Sequence, residues 1–182
     1  MIYVFLAEGF EEMEAVAPVD ILRRLNIPVT TVGVTGKSVS GSHNIVICAD
    51  KTIDECDFSN AEAIVLPGGM PGTVNLSESK ELCSLIKDAF NKGKIIAALC
   101  AAPSVLGGLG ILEGREFTCY PGFEENIKGI YKKEPLVISE GSSAVITAWG
   151  PGAAYRFGFA LAEKITGKDV SELKASMMMC GD

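Results

Sequence analysis

The sequence predicts a doubly wound α/β domain, in which a mostly parallel sheet is covered by helices on both faces. Apolar, strand-like runs alternate with longer helical patterns along the chain, and this alternation is typical of a parallel sheet. Most of the runs are apolar throughout, whereas a half-exposed strand would alternate apolar and polar residues. The length of 182 residues suits one domain spanning residues 1–182.

Short apolar runs predict six strands, followed here in chain order. They are Ile2–Leu6, Val29–Val34, Ala63–Leu66, Ile95–Ala98, Leu136–Ile138 and Val145–Thr147. Between the second and third strands, Gly36 and the segment GSHN separate short alternating runs, which predicts an antiparallel hairpin on the sheet. Amphipathic spacing predicts helices over Glu11–Leu25, Ser79–Asn91, Pro103–Leu109 and Gly152–Thr166. Gly167 is expected to end the last helix.

The charge and the hydropathy pattern exclude several classes of partner. The net charge of −7 and a pI near 4.8 argue against nucleic acids and anionic membranes, which attract clustered Lys and Arg. No stretch approaches the roughly 20 apolar residues of a membrane span. The first apolar run, in MIYVFLAEGFEE, is flanked by acids and is interpreted as a strand rather than a signal peptide. We therefore expect a cytoplasmic protein.

The cysteines and the single histidine do not form a metal-binding pattern. There are six cysteines, Cys48, Cys56, Cys83, Cys100, Cys119 and Cys180, with no CxxC pair. The only histidine is His43. This spacing predicts neither a zinc site nor another metal site. In a reducing compartment, disulfides are also not expected.

The loop after the first predicted strand, AEGFEEME, is rich in carboxylates. Flavin and dinucleotide sites require glycines and hydroxyls at this position, and carboxylates would repel phosphate, so we expect no cofactor. Glu11 and Glu12 are interpreted as partners of the helix dipole. Glu14 differs because its neighbours are apolar, and burial would raise its pKa and keep it protonated as a hydrogen-bond donor.

Cys100 lies in the segment AALCAAP, between an apolar strand and the first turn of a helix that Pro103 can begin. A lone cysteine among alanines is commonly a core residue. Here, however, the strand-to-helix turn and the small neighbours resemble a nucleophile elbow. A helix N-terminus would lower the thiol pKa. In the loop LPGGMPG, Leu66–Gly72, a glycine N–H could approach an oxyanion beside this thiol.

Four segments together resemble the ThiJ/PfpI superfamily, in the branch of the parkinsonism-associated protein deglycase. They are GFEEMEAVAPVDILRR, IVLPGGMPGTVNLSES, AALCAAP and WGPGAA. The resemblance implies a flavodoxin-like three-layer sandwich, a homodimer and a reactive Cys100 hydrogen-bonded by protonated Glu14. It also implies backbone N–H groups of Gly69 and Ala101 at an oxyanion, with Pro151 lining the substrate pocket near the dimer contact. Gly68 and Tyr120 are further expected to line the substrate pocket.

The chain departs from the family pattern at one position. Many relatives carry histidine where the segment FTCYP places Tyr120. Without that base, a Cys-His peptidase is not supported. Two hypotheses stay open: a glutathione-independent glyoxalase or deglycase acting on a small carbonyl or glycated substrate, and a non-enzymatic oxidative-stress sensor or chaperone in which Cys100 oxidises to sulfinic acid. Both need the same acidic thiol, so the motifs do not separate them.

Overall fold

The computed structural model describes residues 1–135, 137–139 and 144–179. The strands are β1 (Ile2–Leu6), β2 (Val29–Gly33), β3 (Ser38–Ser40), β4 (Val46–Cys48), β5 (Lys51–Thr52), β6 (Ala63–Leu66), β7 (Ile95–Leu99), β8 (Glu116–Phe117), β9 (Ile130–Tyr131), β10 (Val137–Ser139) and β11 (Val145–Ala148). The helices are α1 (Glu12–Arg24), α2 (Gly72–Glu78), α3 (Lys80–Asn91), α4 (Pro103–Gly108), α5 (Ala154–Thr166) and α6 (Ser171–Ser176).

The predicted mostly parallel sheet is confirmed. In the described part of the chain its order is β10-β11-β7-β6-β1-β2-β5, and every pairing is parallel except that of β10 with β11. The order across the sheet is 2-1-3-4-5 when five of the parallel strands, β1, β2, β6, β7 and β11, are numbered one to five along the chain. This is the flavodoxin-like order. The fifth predicted strand corresponds to β10, although Leu136, its first residue, lies outside the described residues.

Helices cover both faces of this sheet because each face carries its own apolar cluster. One cluster packs β-strand side chains such as Val4 and Leu99 against α1 and α5. The other packs Phe5 and Ile96 against α2, α3 and α4. Gly167, at φ 65, ends α5 in the left-handed conformation predicted for it. The result is the expected three-layer sandwich.

The predicted placement of the hairpin needs correction. The hairpin is antiparallel as predicted, but β3 and β4 form a separate two-stranded sheet rather than joining the central one. It folds over the start of α1, where Phe10 bridges to Gly41, and its Val39 is buried in the α1 cluster. The predicted helix Ser79–Asn91 corresponds to α3, which the Ser79 side chain caps through the Leu82 N–H, whereas the preceding helix α2, whose C-cap is Ser79, was not predicted. Among the described helices, none is long and apolar enough to cross a bilayer.

Candidate active site

Three of the predicted site segments meet at the carboxyl edge of the central parallel strands. Cys100 directly follows β7, Gly68 and Gly69 lie just after β6, and Glu14 lies in the first turns of α1, which follows β1. Strands β1, β6 and β7 are neighbours in the sheet. This is the edge at which open α/β sheets bind their ligands.

Cys100 adopts a strained backbone conformation at the turn between β7 and α4. Its φ of 61 lies in the left-handed region that non-glycine residues rarely occupy. The turn is held on both sides: the Cys100 N–H donates to the Ala148 carbonyl at 2.9 Å, and the Cys100 carbonyl accepts from the Tyr120 N–H at 2.8 Å. Such a conformation is the geometry of a nucleophile elbow, as the sequence predicts.

Gly68 provides the space in which Cys100 and Glu14 approach each other. A Cβ on Gly68 would lie 2.7 Å from the Cys100 Cβ and 2.9 Å from both the Ala101 nitrogen and Glu14 Oε2. Gly68 thus packs between the Cys100 and Glu14 side chains and does not line the pocket described below, where it was expected. Close approach of the backbone here requires glycine.

Gly69 and Ala101 direct their backbone N–H groups to the Cys100 sulfur, and both bonds stabilise a negative charge on it. Gly69 has φ +89, and a Cβ there would overlap the backbone nitrogen of Glu11. Glycine is therefore needed at this position both for the backbone conformation and for the contact with the β1–α1 loop.

Glu14 is completely buried. Its Oε2 accepts a hydrogen bond from the Gly68 N–H at 2.7 Å, and its carboxyl group is hydrogen-bonded to the Cys100 side chain. Oε1 is buried and accepts no hydrogen bond from the described residues. Burial raises the pKa of Glu14 to about 7, against the lowering effect of the bonds from Gly68 and Cys100. The predicted raised pKa is confirmed.

The expectation of a lowered thiol pKa is wrong. Burial, followed by the charge and the hydrogen bond of Glu14, raises the pKa of Cys100 to about 12. The opposing N–H groups of Gly69 and Ala101 lower it, but α4 is a short helix and does not outweigh the buried carboxylate. Protonation of Glu14 removes its charge and leaves those two donors facing the sulfur.

Tyr120 and Pro151 line one pocket of about 420 Å³, together with Trp149 and Ala153. Tyr120 is half exposed, and its ring packs over Gly150, where a Cβ would lie 3.3 Å from the ring. Sequence reasoning placed Tyr120 and Pro151 in the pocket but missed Trp149, although the WGPGAA motif contains it. The aromatic character of that position was the available signal.

A pairing between Glu12 and His43 also escaped sequence reasoning. The buried Glu12 carboxylate accepts from the His43 backbone N–H at 2.8 Å and contacts its Nδ1 at 2.9 Å. Burial would raise the pKa of Glu12, but the His43 side chain and several backbone N–H groups lower it to about 2. One ligand atom from each of Glu11, Glu12 and His43 lies within 4.8 Å of the others. The Glu12 oxygens are already committed to these hydrogen bonds.

The family model described as "DJ-1/PfpI family" matches residues 1–164. The chain belongs to the DJ-1/PfpI family. Among related DJ-1/PfpI proteins, the Parkinson disease protein 7 homolog of Danio rerio is 37% identical over 97% of this chain and 95% of its own length. Protein dj-1beta of Drosophila melanogaster is 34% identical over the same shares of the two chains.

Solved structures of DJ-1/PfpI proteins share the whole fold. The crystal structure of Drosophila melanogaster DJ-1beta superposes with a TM-score of 0.91 at 34% identity, covering 97% of this chain and 96% of that one. The structure described as Toxoplasma gondii DJ-1, oxidized, gives a TM-score of 0.91 at 31% identity and covers 97% of both chains. These matches establish the flavodoxin-like α/β sandwich and the family resemblance.

Proposed function

We propose that this DJ-1/PfpI protein is a cysteine-dependent, glutathione-independent glyoxalase or deglycase. Its substrates are 2-oxoaldehydes such as methylglyoxal, or early glycation adducts that present the same carbonyl. The observation that carries the proposal is the buried contact between the strained Cys100 and a Glu14 carboxyl whose pKa is about 7. A carboxyl that titrates near neutral pH can both give and take a proton during one turnover.

Nucleophilic attack begins when the Glu14 carboxylate takes the proton of the Cys100 thiol, which leaves a thiolate beside a protonated Glu14. The sulfur adds to the aldehyde carbon, and the carbonyl oxygen takes the Glu14 proton, which gives a hemithioacetal. The N–H groups of Gly69 and Ala101 already face the sulfur. They are therefore next to the oxygen that becomes negative as the carbon–sulfur bond forms, and they stabilise it.

Rearrangement then uses the Glu14 carboxylate as the base. It removes the proton from the former aldehyde carbon, the electron pair moves onto the neighbouring carbonyl oxygen, and an enediolate forms. Glu14 returns its proton to that second carbon while the hydroxyl proton moves to the oxygen, which leaves a 2-hydroxyacyl thioester. Water cleaves the thioester to the hydroxyacid and restores the thiol. Overall, methylglyoxal and one water become lactate.

The test is lactate formation from methylglyoxal without glutathione. The wild-type protein, with its thiol reduced, should turn over, and both Cys100→Ser and Glu14→Gln should lose activity because nucleophile and proton carrier are removed. Glu81→Gln, on the exposed surface of α3, is a matched control that should retain it. Turnover that persists in Cys100→Ser would contradict the proposal.

The second candidate function is a redox sensor or redox-regulated chaperone, and the Toxoplasma gondii relative described as oxidized favours it. The Cys100 thiolate would attack peroxide, release water and become sulfenate, and a second peroxide would give sulfinate. The Glu14 carboxyl would donate a hydrogen bond to the oxidised sulfur. The intact mass after dilute peroxide should then rise by two oxygen atoms in wild type and not in Cys100→Ser.

For either function we propose a homodimer formed through the α1 face, which comprises Met13 and Val16 of α1, Ile45 and Val46 of the hairpin, and Tyr155 of α5. These large side chains are all about half exposed or more. A continuous apolar patch of this kind on a folded chain marks an interaction surface. A two-fold axis would pair the face with itself.

We further propose that the protein works in the reducing cytoplasm. The five described cysteines, including the exposed Cys48, are free thiols. Nucleophilic chemistry at Cys100 requires the reduced sulfur, which a reducing compartment maintains.

A further inference from the structure

The pocket between Tyr120 and Trp149 has an apolar and aromatic lining. Tyr120, Trp149, Pro121 and Pro151 form its walls, and the remaining described lining residues are two glycines and Ala153. None of these lining residues carries a charge. The volume of about 420 Å³ lies within the range of about 300 to 1,000 Å³ that is usual for small-molecule sites.

Both aromatic residues of this pocket are attached to the Cys100 turn through the backbone. The Tyr120 N–H donates to the Cys100 carbonyl at 2.8 Å, while the Cys100 N–H donates to Ala148, the residue directly before Trp149. The two segments that carry the rings, the FTCYP loop and the end of β11, are therefore both anchored to the backbone of the Cys100 turn. A substrate carbon bonded to the sulfur would carry its substituent toward them.

The position of the Tyr120 ring is set by Gly150. The ring packs against this glycine so closely that even a Cβ would be tight at 3.3 Å. Gly150 thus lets the ring lie over the WGPGAA segment, where it forms one wall of the pocket with Trp149. Two aromatic walls offer a flat ring both apolar contact and favourable edge or stacking geometry.

We propose that this pocket is a subsite for an apolar, and by preference aromatic, substituent of the 2-oxoaldehyde, with Tyr120 and Trp149 as the specificity-determining residues. The inference rests on the proposed glyoxalase function and specifies its substrate class. An uncharged pocket of this size leaves most of its lining uncovered when the substituent is a methyl group. It should favour phenylglyoxal over methylglyoxal, because burial of additional apolar surface accelerates the reaction of the larger substrate.

The sole tryptophan of the chain is Trp149, so its fluorescence reports directly on this pocket without any turnover. Mandelate and lactate, the hydroxyacids that phenylglyoxal and methylglyoxal would yield, are the probes. Titration of the reduced wild-type protein with mandelate should change the emission at concentrations about tenfold below those needed for lactate. Equal half-saturation, or no change with either acid, would overturn the proposal.

Kinetics provide the second measurement. The ratio of kcat/KM for phenylglyoxal to that for methylglyoxal should fall about tenfold in Trp149→Gln, mainly through the KM for phenylglyoxal. Trp149→Phe should restore a ratio close to wild type, because it keeps an aromatic wall. An unchanged ratio in folded Trp149→Gln would contradict the subsite.

The two proposals fail differently. If methylglyoxal and phenylglyoxal are not turned over but mandelate still binds about tenfold more tightly than lactate, the glyoxalase function is wrong and the aromatic subsite is supported. If methylglyoxal is turned over and the two acids bind equally, the subsite is wrong and the function stands. The fluorescence result also decides the case in which Trp149→Gln does not fold.

Discussion

Glu14 Oε2 accepts the Gly68 N–H at 2.7 Å, and a Cβ on Gly68 would lie 2.9 Å from that same oxygen. The glycine thus supplies a hydrogen bond to the carboxyl and, through its missing side chain, the room in which the carboxyl reaches Cys100. Gly68 therefore influences both the charge environment of the Glu14 carboxyl and the distance between Glu14 and Cys100.

Gly68→Ala should disrupt the site. The added Cβ would meet the Cys100 Cβ at 2.7 Å and the Ala101 nitrogen at 2.9 Å, so the elbow must shift. We expect the free energy of unfolding to fall by about 1 to 3 kcal/mol, as for other overpacked sites. Turnover of methylglyoxal should fall about 100-fold, since small displacements of reacting groups have large effects on rate. Urea unfolding and lactate formation measure the two effects.

Gly108→Ala is the matched control for that substitution. Gly108 lies at the end of α4, and a Cβ there has no heavy atom within 4 Å. Alanine should be neutral or stabilise the helix by about 0.5 to 1 kcal/mol. Equal losses of stability and activity in the two variants would contradict a specific role for Gly68.

The Cys100–Glu14 pair should titrate as a unit. In wild type, alkylation of the Cys100 thiol should stay slow near neutral pH and become fast only as the pH approaches the thiol pKa of about 12, because burial and the ionised Glu14 raise that pKa. In Glu14→Gln the negative charge of Glu14 is absent, so the inflection should move to lower pH. Peptide mass analysis separates Cys100 from the exposed Cys48.

An alkylation profile that is unchanged in Glu14→Gln would contradict this coupling. Glu81→Gln should leave the wild-type profile unaltered, because Glu81 is exposed on α3, away from the site.

The Glu12–His43 contact should stabilise the fold in a pH-dependent way. The hydrogen bond and charge of Glu12 raise the pKa of His43 above its ordinary 6.5. Its contribution is therefore fully present below pH 6.5 and is lost as the pH rises through the higher folded-state pKa. His43→Gln should lower the free energy of unfolding more at pH 5.5 than at pH 9, as measured by urea titration.

Glu12→Gln is the background that isolates this effect. Without the Glu12 carboxylate, His43→Gln should change the free energy of unfolding by the same amount at pH 5.5 and at pH 9. A difference that is the same at both pH values in the wild-type background would refute the assigned charge interaction.

Val16→Glu should separate the proposed dimer. Val16 lies on the α1 face and is 50% exposed, and a two-fold interface would bury the new charge opposite apolar side chains at a large cost. Sedimentation equilibrium should show a monomer. Ile130→Glu is the control, because Ile130 is 49% exposed on β9, outside this face, and should leave the dimer intact. A wild-type protein that sediments only as a monomer would contradict the interface.

Local signals in the sequence were sufficient for most of the fold and for the position of the candidate nucleophile. Apolar runs predicted the strands of the central sheet because strand and helix periodicities differ within a few residues. The turn at Cys100 followed from its small neighbours and from Pro103. The apolar neighbours of Glu14 correctly indicated burial and therefore a raised pKa. The sheet to which the hairpin belongs was not predicted correctly, because an alternating pattern of residues does not specify which strands the hairpin pairs with.

Only the tertiary structure decided how the charges act on one another. The pKa of the Cys100 thiol is raised first by burial and then by a buried carboxyl from a different element, whereas the sequence alone suggested that a helix N-terminus would lower it. The Glu12–His43 pair and the pocket between Tyr120 and Trp149 likewise join segments far apart in the chain. Periodicity and turns are local properties of the sequence, whereas desolvation and Coulomb interactions depend on what the fold places nearby.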